Sequence, residues 1–381
     1  MIRPDIYGFY TCGQIKTYRK WEAIDMHAKT GVHPTWHFND EVYGTMPWHQ
    51  DPDVSLVELY RRRAQQLRDQ YDYLVLWYSG GADSDAALDS FVDHGIFINE
   101  IVSWTNYSAT GDRYDFCNGE IFNVAVPKIQ RIQQQYPLIR HRILDICEPM
   151  VDFFSTNKLQ QDWIYDVNCV SDAINAARPN LINTVSDWKN LANRGRKIAF
   201  ITGTDKPRVR HHADGSWTFQ FIDMFDNSVT PGQQVSENNI GSPEFFFWSP
   251  DSPLIVVKQA HVIKQYLQYA TADDRYLTTK SNGLANRRID DREYWLKVEG
   301  VHKLIYPNWQ PIPYQAKNIS PILSQRSRWF RHFDKQSRAY KNWHKGLTEK
   351  WNITPNYWKN DPGRLHRGFK QSWSRSYDLG L

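Results

Sequence analysis

Between residues 52 and 104 the spacing of apolar positions changes period three times. Ser55-Leu56-Val57-Glu58 has the form of a capping box. Leu56, Leu59, Tyr60, Ala64 and Leu67, with Arg63 in the same stripe, then recur at helical spacing and predict a helix ending near Gln70. Tyr73-Leu74-Val75-Leu76-Trp77-Tyr78 is a continuous apolar run, short enough for a strand buried on both faces, as in a parallel sheet. A glycine pair follows, and Ala86, Ala87, Leu88, Phe91 and Val92 predict a helix from Asp83 to near Gly95. Asn99-Glu100-Ile101-Val102-Ser103-Trp104 is a second strand, which makes the order strand, turn, helix, strand, with a right-handed crossover.

The alternation continues with a helix around 120–135, a strand at 142–146, helical material between about 170 and 193, and a strand at 197–202. The fold class expected is α/β, a layered domain around a mostly parallel sheet, with its ligand at the carboxyl ends of the strands. Residues 1–50 form an N-terminal extension without an assignable pattern. Residues 51–225 are the expected α/β domain, and 226–381 a largely helical, basic and aromatic C-terminal region that binds a substrate or partner. Within it, 227–253 reads as connecting loop, although Phe245-Phe246-Phe247-Trp248 requires burial. A helix is predicted over 258–270. An amphipathic basic helix is predicted over about 325–348, where Trp329, Phe333, Tyr340, Trp343 and Leu347 share a face.

Composition changes this picture in three places. The chain has 381 residues, 41% of them apolar, enough for one large core or two domains of ordinary size. No run approaches the roughly 18 to 20 apolar residues of a membrane helix, and the first residues lack the plan of a secretory signal. A soluble, cytoplasmic protein with no membrane partner is therefore expected. Cys12, Cys117, Cys147 and Cys169 form no C-x-x-C pair, so neither a zinc ribbon nor a dithiol redox motif is encoded, and buried reduced thiols are expected. The net charge of +4 is uneven: residues 321–381 carry 13 Lys and Arg against 4 Asp and Glu, so the remainder is acidic.

Ser79-Gly80-Gly81-Ala82-Asp83-Ser84 lies between the first strand and its helix. Successive glycines let backbone amides approach a polyanion with no Cβ in the way. The following helix presents its unpaired N–H groups to the same place. Ser79 and Ser84 offer hydroxyls, and Asp83 points to a divalent cation, Mg²⁺, accompanying the phosphates. The Walker loop and G-x-G-x-x-G are both absent, which excludes a Walker-type NTPase and a dinucleotide dehydrogenase on motif grounds. A second run, Ile201-Thr202-Gly203-Thr204-Asp205-Lys206-Pro207-Arg208, also ends a predicted strand in a glycine turn, with cations close behind. Lys206 is the candidate for neutralising departing pyrophosphate, with Arg208 or Arg210 assisting, and Asp205 is a further candidate for metal. His211-His212 reads as a surface pair.

Residues Ser79 to Ser84 resemble the PP-loop of the ATP pyrophosphatase superfamily (HUP-like, adenine nucleotide alpha-hydrolase-like). The stretch from Gly8 through the loop also resembles PP-loop proteins of tailed phages, which would place the chain in a host cytoplasm. The resemblance covers roughly residues 70 to 210 and is specific at the loop. It implies a five-stranded parallel sheet, ATP bound with its phosphates in the loop, and Mg²⁺-assisted adenylation that releases pyrophosphate. It also implies adenine gripped near the end of the second strand, which makes Ser103 and Trp104 neighbours of the base. The implied site comprises Ser79, Gly80, Gly81, Ala82, Asp83, Ser84, Ser103, Trp104, Gly203, Thr204, Lys206 and Arg208. Asp83 and Lys206 carry the chemistry, and Asp83 and Asp205 hold the metal.

Departures from known branches narrow the reaction. Position 2 is Ile, so the glutaminase nucleophile of asparagine synthetase is missing, and the last cysteine, Cys169, lies far from the C-terminus where sulfonucleotide reductases use one. The clustered cysteines of thiolating and deazaguanine-forming relatives are missing too. Adenylation of a carboxyl, amide or nucleobase oxygen, followed by amidation or a related substitution, remains. Eleven aromatic residues interleaved with the basic residues of 321–381 offer a surface for nucleic acid, or else anchor helices to the α/β domain. The alternatives are a PP-loop protein without turnover, serving as a nucleic-acid-binding or structural component, and a sulfonucleotide reductase-like protein.

Overall fold

The computed structural model describes residues 8–18, 20–113, 118–155, 182, 184–203, 207–221, 240–269, 301–310, 336–342, 345 and 373–381. The chain opens with β1 (Phe9–Cys12), β2 (Ile15–Thr17), α1 (Lys20–Thr30) and β3 (Thr35–His37), the strands forming an antiparallel sheet in the order β2-β1-β3. After a short helix α2 (Asp40–Tyr43) comes α3 (Leu56–Gln70), whose first turn is capped as the sequence indicates, Glu58 N–H donating to Ser55 Oγ at 3.2 Å. The stripe Leu56, Leu59, Tyr60, Arg63, Ala64 and Leu67 is buried.

β4 (Tyr73–Trp77), α4 (Ala82–Val92) and β5 (Glu100–Thr105) form the expected strand–helix–strand unit. They are followed by α5 (Tyr107–Thr110), a π turn at Ile121–Ala125, α6 (Val126–Gln135), β6 (Arg140–Asp145), α7 (Cys147–Ser155), α8 (Ser186–Asn193) and β7 (Ile198–Thr202). Then come β8 (Arg208–His211), β9 (Trp217–Gln220), β10 (Ser242–Phe245), α9 (Leu254–Tyr269) and β11 (Tyr377–Asp378). Five strands make one parallel sheet in the order β10-β7-β4-β5-β6, with helices flanking it, so the chain is an α/β protein. The continuous apolar run of β4 is explained by its central place, paired on both edges.

Three parts of the fold differ from the sequence reading. The span read as loop over 227–253 contains β10, so the sheet draws its fifth strand from beyond residue 225. Pro243 is tolerated there because β10 is an edge strand. Residues 9–18 and 20–48 are structured, and Trp36, Phe38, Tyr43 and Trp48 pack with Phe219, Phe221, Trp248 and Tyr377 in one aromatic cluster. The region after 207 begins with antiparallel strands, in the order β11-β9-β8. The helix predicted over 325–348 lies mostly outside the described residues. Two of the aromatics read as a nucleic-acid surface serve the fold instead: Tyr377 is buried in β11, and Trp373 lies 3.8 Å beneath the Arg210 guanidinium. Deleting 321–381 would therefore remove a strand as well as charge. Cys12 and Cys147 are buried free thiols, as expected. Among the described residues no helix is long and apolar enough to cross a membrane.

α3 is tied to the sheet edge by a buried ion pair. Arg63 Nη2 donates to Glu244 Oε2 at 2.7 Å and to the Phe245 carbonyl at 2.7 Å, and Tyr71 donates to the other oxygen of Glu244. That acceptor and burial hold the Tyr71 hydroxyl well above its ordinary pKa, burial being the larger cause. Removing one partner leaves a charge stranded in the core. Arg63→Ala is expected to lower unfolding stability by about 3 to 5 kcal/mol in urea denaturation, against about 1 kcal/mol or less for Arg62→Ala on the exposed side of the same helix.

Candidate functional site

β4 and β7 run side by side at the centre of the sheet, with Trp77 in register with Thr202. Residues 78–81 and Gly203, which follow them, therefore leave the sheet side by side. The strand order reverses between these two strands: β5 and β6 extend from β4 on one side, and β10 extends from β7 on the other. In open parallel sheets that reversal opens a crevice at the carboxyl ends of the strands, where ligands bind.

Two glycines set the backbone at these strand ends. Gly80 has φ +81°, which a side chain rarely adopts, and a Cβ there would lie 3.2 Å from the Ala125 nitrogen in the π turn. Gly203 serves a close approach instead: a Cβ on it would lie 2.7 Å from the Asp83 carbonyl oxygen and 2.8 Å from the Ser84 Cα. The second loop thus presses against the first turn of α4 backbone to backbone, bringing together the two motifs 120 residues apart.

The serines knit the first loop together. Ser84 Oγ donates to the Gly81 carbonyl at 2.9 Å, and the Gly81 N–H donates to Ser79 Oγ at 3.3 Å. Gly81 is the N-cap residue of α4 and provides no side-chain cap, so the helix presents its first-turn amides without the usual internal acceptor. Ser103, expected near a base, is fully buried, and its hydroxyl donates to the Tyr78 carbonyl at 2.9 Å, bracing the entry to the loop. His141 Nε2 lies 3.3 Å from the same hydroxyl, and burial lowers the pKa of that imidazole. Trp104 follows at the end of β5, half-buried.

Behind the loop, Tyr78 donates to Asp85 Oδ1 at 2.6 Å, and Lys128 Nζ lies 2.7 Å from Asp85 and 2.6 Å from Asp89. Burial pushes the Asp89 carboxyl up to about 6 against the pull of Lys128. This network ties α4 to α6 and takes up the acidic groups behind its first turn.

Arg208 opens β8, directly after the second loop, and is buried. Among the described residues its Nε has no hydrogen-bond partner and no carboxylate pairs with it. Burial, and then neighbouring Arg210, pull its pKa down to about 10, which still leaves it charged at neutral pH. A buried, uncompensated guanidinium is expensive unless an anion joins it. Thr204, Asp205 and Lys206 lie outside the described residues. His211 and His212 are exposed, one stacked on Trp217 and the other 2.7 Å from Thr218 Oγ1.

Two site residues carried no sequence signal. Tyr306 donates to Asp83 Oδ1 at 3.0 Å, and His302 Nε2 lies 3.3 Å from the same oxygen. They stand more than two hundred residues from the loop, in a segment with no motif. Among the described residues no group of three or more His, Cys, Asp and Glu side chains could hold a metal ion. No protein-family model matches the chain, and a search of curated proteins finds no relative.

Proposed function

We propose that the crevice binds ATP, with its phosphates across Ser79 to Ser84, and that the protein adenylates an acceptor with release of pyrophosphate. The observation that carries the proposal is the backbone contact of Gly203 with Asp83 and Ser84 at the sheet's reversal point. It joins two glycine loops, an uncapped helix N-terminus and the start of a segment bearing a buried guanidinium that pairs with no carboxylate among the described residues. The resemblance of the loop to the PP-loop supports the same assignment.

In this reading the amides of Gly80 to Ser84 and the Arg208 guanidinium take the phosphate charge. The acceptor oxygen attacks the α-phosphorus, the bond from that phosphorus to the oxygen bridging to the β-phosphorus breaks, and pyrophosphate leaves toward Lys206 and Arg208. The protein supplies alignment and charge neutralisation rather than a covalent nucleophile. The residues fit a Mg²⁺ ion that arrives with the nucleotide rather than one caged by protein. A cation shared with phosphates needs only one or two carboxylates, and Asp83 would be one of them; Asp205, the other candidate from the sequence, lies outside the described residues. When bound, that ion would neutralise charge on the phosphate oxygens. Adenine lies beside Trp104, and the acceptor is a nucleobase, a nucleic acid or a small molecule with a carboxyl or amide oxygen.

Pyrophosphate release from ATP and Mg²⁺ tests this, with pools of small carboxylates, nucleosides and tRNA as acceptors. Asp83→Ala is expected to lower the release by about a hundredfold. Release unchanged in that variant contradicts the role given to Asp83.

A further inference from the structure

Residues 301–310 are docked on the α/β unit at several points. The turn at 301–305 is helical, and Ile305 and Tyr306 are buried. Tyr60 of α3 donates to the Ile305 carbonyl at 2.7 Å, and Asn308 Nδ2 donates to Asp93, just past the end of α4, at 2.5 Å. The Tyr306 ring packs against Phe247 with centroids 5.5 Å apart. The segment is thereby held along α4, and His302 and Tyr306, four residues apart and stacked at 5.3 Å, share the face that meets Asp83.

Both converge on one atom, Asp83 Oδ1. Asp83 is the second residue of α4. A carboxylate in a first helical turn is attracted to the same amides and the same dipole end that an anionic ligand needs. A phenol hydroxyl and an imidazole nitrogen on the far side draw it the other way. His302 shows what its imidazole is for: Nδ1 is buried and has no partner among the described residues, a cost an apolar ring would avoid. What the imidazole adds is its Nε2 edge on Asp83.

We propose that His302 and Tyr306 are positioning residues of the polyphosphate site. They hold the Asp83 carboxylate away from the first-turn amides of α4, leaving those amides to the ligand. This rests on the assignment of Ser79 to Ser84 as a polyphosphate loop. The segment 301–310 is thus coupled to the loop through the Asp83 carboxylate, and ligand binding and docking of the segment strengthen each other.

The test is a titration of the full chain with inorganic pyrophosphate in the presence of a chelator, so that no metal ion contributes. Tyr306→Phe, which removes only a hydroxyl, and His302→Leu are each expected to weaken pyrophosphate binding about tenfold. His302→Gln, which keeps an N–H near the Nε2 position, retains most of the affinity. The same Tyr306→Phe and His302→Leu changes made on top of Asp83→Ala are expected to have no further effect, because no carboxylate then competes for the amides. Undiminished binding in both variants, or equal losses with and without Asp83, overturns the positioning role while leaving the polyphosphate loop intact. A native chain that binds neither pyrophosphate nor ATP at millimolar concentration instead removes the loop assignment and this inference with it.

Discussion

Gly203→Ala is expected to reduce ATP affinity on the order of a hundredfold, although the change adds one methyl group. That methyl meets the Asp83 carbonyl oxygen at 2.7 Å and the Ser84 Cα at 2.8 Å, and both are backbone. Neither can swing aside as the end of a long side chain would. The two loops must move apart, which misplaces the first-turn amides of α4 relative to the residues after β7. A stability loss of about 1 to 3 kcal/mol should accompany it, as for other overpacked contacts. Calorimetric titration with ATP, together with a denaturation curve, separates the two effects. A variant that keeps its affinity while losing stability would show that the contact serves packing alone.

The second large effect runs in opposite directions for stability and binding. Arg208→Met keeps the length and the apolar stem but removes a buried charge that has no carboxylate partner among the described residues. Replacing such a charge by an apolar side chain is commonly neutral or stabilising, by up to about 4 kcal/mol. Stability should therefore hold or rise. ATP and pyrophosphate binding should weaken about thirtyfold, the loss expected for one charge-assisted hydrogen-bonding group. Arg208→Lys should recover only part of the affinity, because an ammonium lacks the planar fork that matches two phosphate oxygens. If Arg208→Met instead destabilises the chain and leaves pyrophosphate binding unchanged, Arg208 is a structural cation. Burial lowers the Arg208 pKa, and an anion bound beside it would raise it again.

What could be read from the sequence and what could not have separate physical causes. β4, β5 and β7 are central strands, and their apolar runs announce burial on both faces. The N-cap of α3 and the loop at 79–84 are local signals, complete within a few residues: Ser55 caps the helix as the sequence indicates, although the Glu58 carboxylate pairs with Arg61 and Arg62, and the loop lies between β4 and the first turn of α4. β10 was hidden because an edge strand needs no apolar run: Ser242-Pro243-Glu244-Phe245 carries a proline and a glutamate that is explained by Arg63, 181 residues earlier, and by Tyr71. The antiparallel strands β8 and β9 were hidden for a related reason, since Arg208-Val209-Arg210-His211 reads as a charged loop until its partner is known. The site divides the same way. Gly203 is visible as a turn, but its contact with Ser84 is a property of the folded sheet. His302 and Tyr306 are set by docking alone, and no pattern in their neighbourhood links them to Asp83.

Hydrogen exchange of the full chain with and without ATP and Mg²⁺ locates the nucleotide on the chain. Protection should appear in peptides covering 79–85 and in those covering 203–210, the two loops that Gly203 brings together. ATP binding that leaves both segments unprotected while protecting another part of the chain would contradict the assignment of the crevice as the nucleotide site.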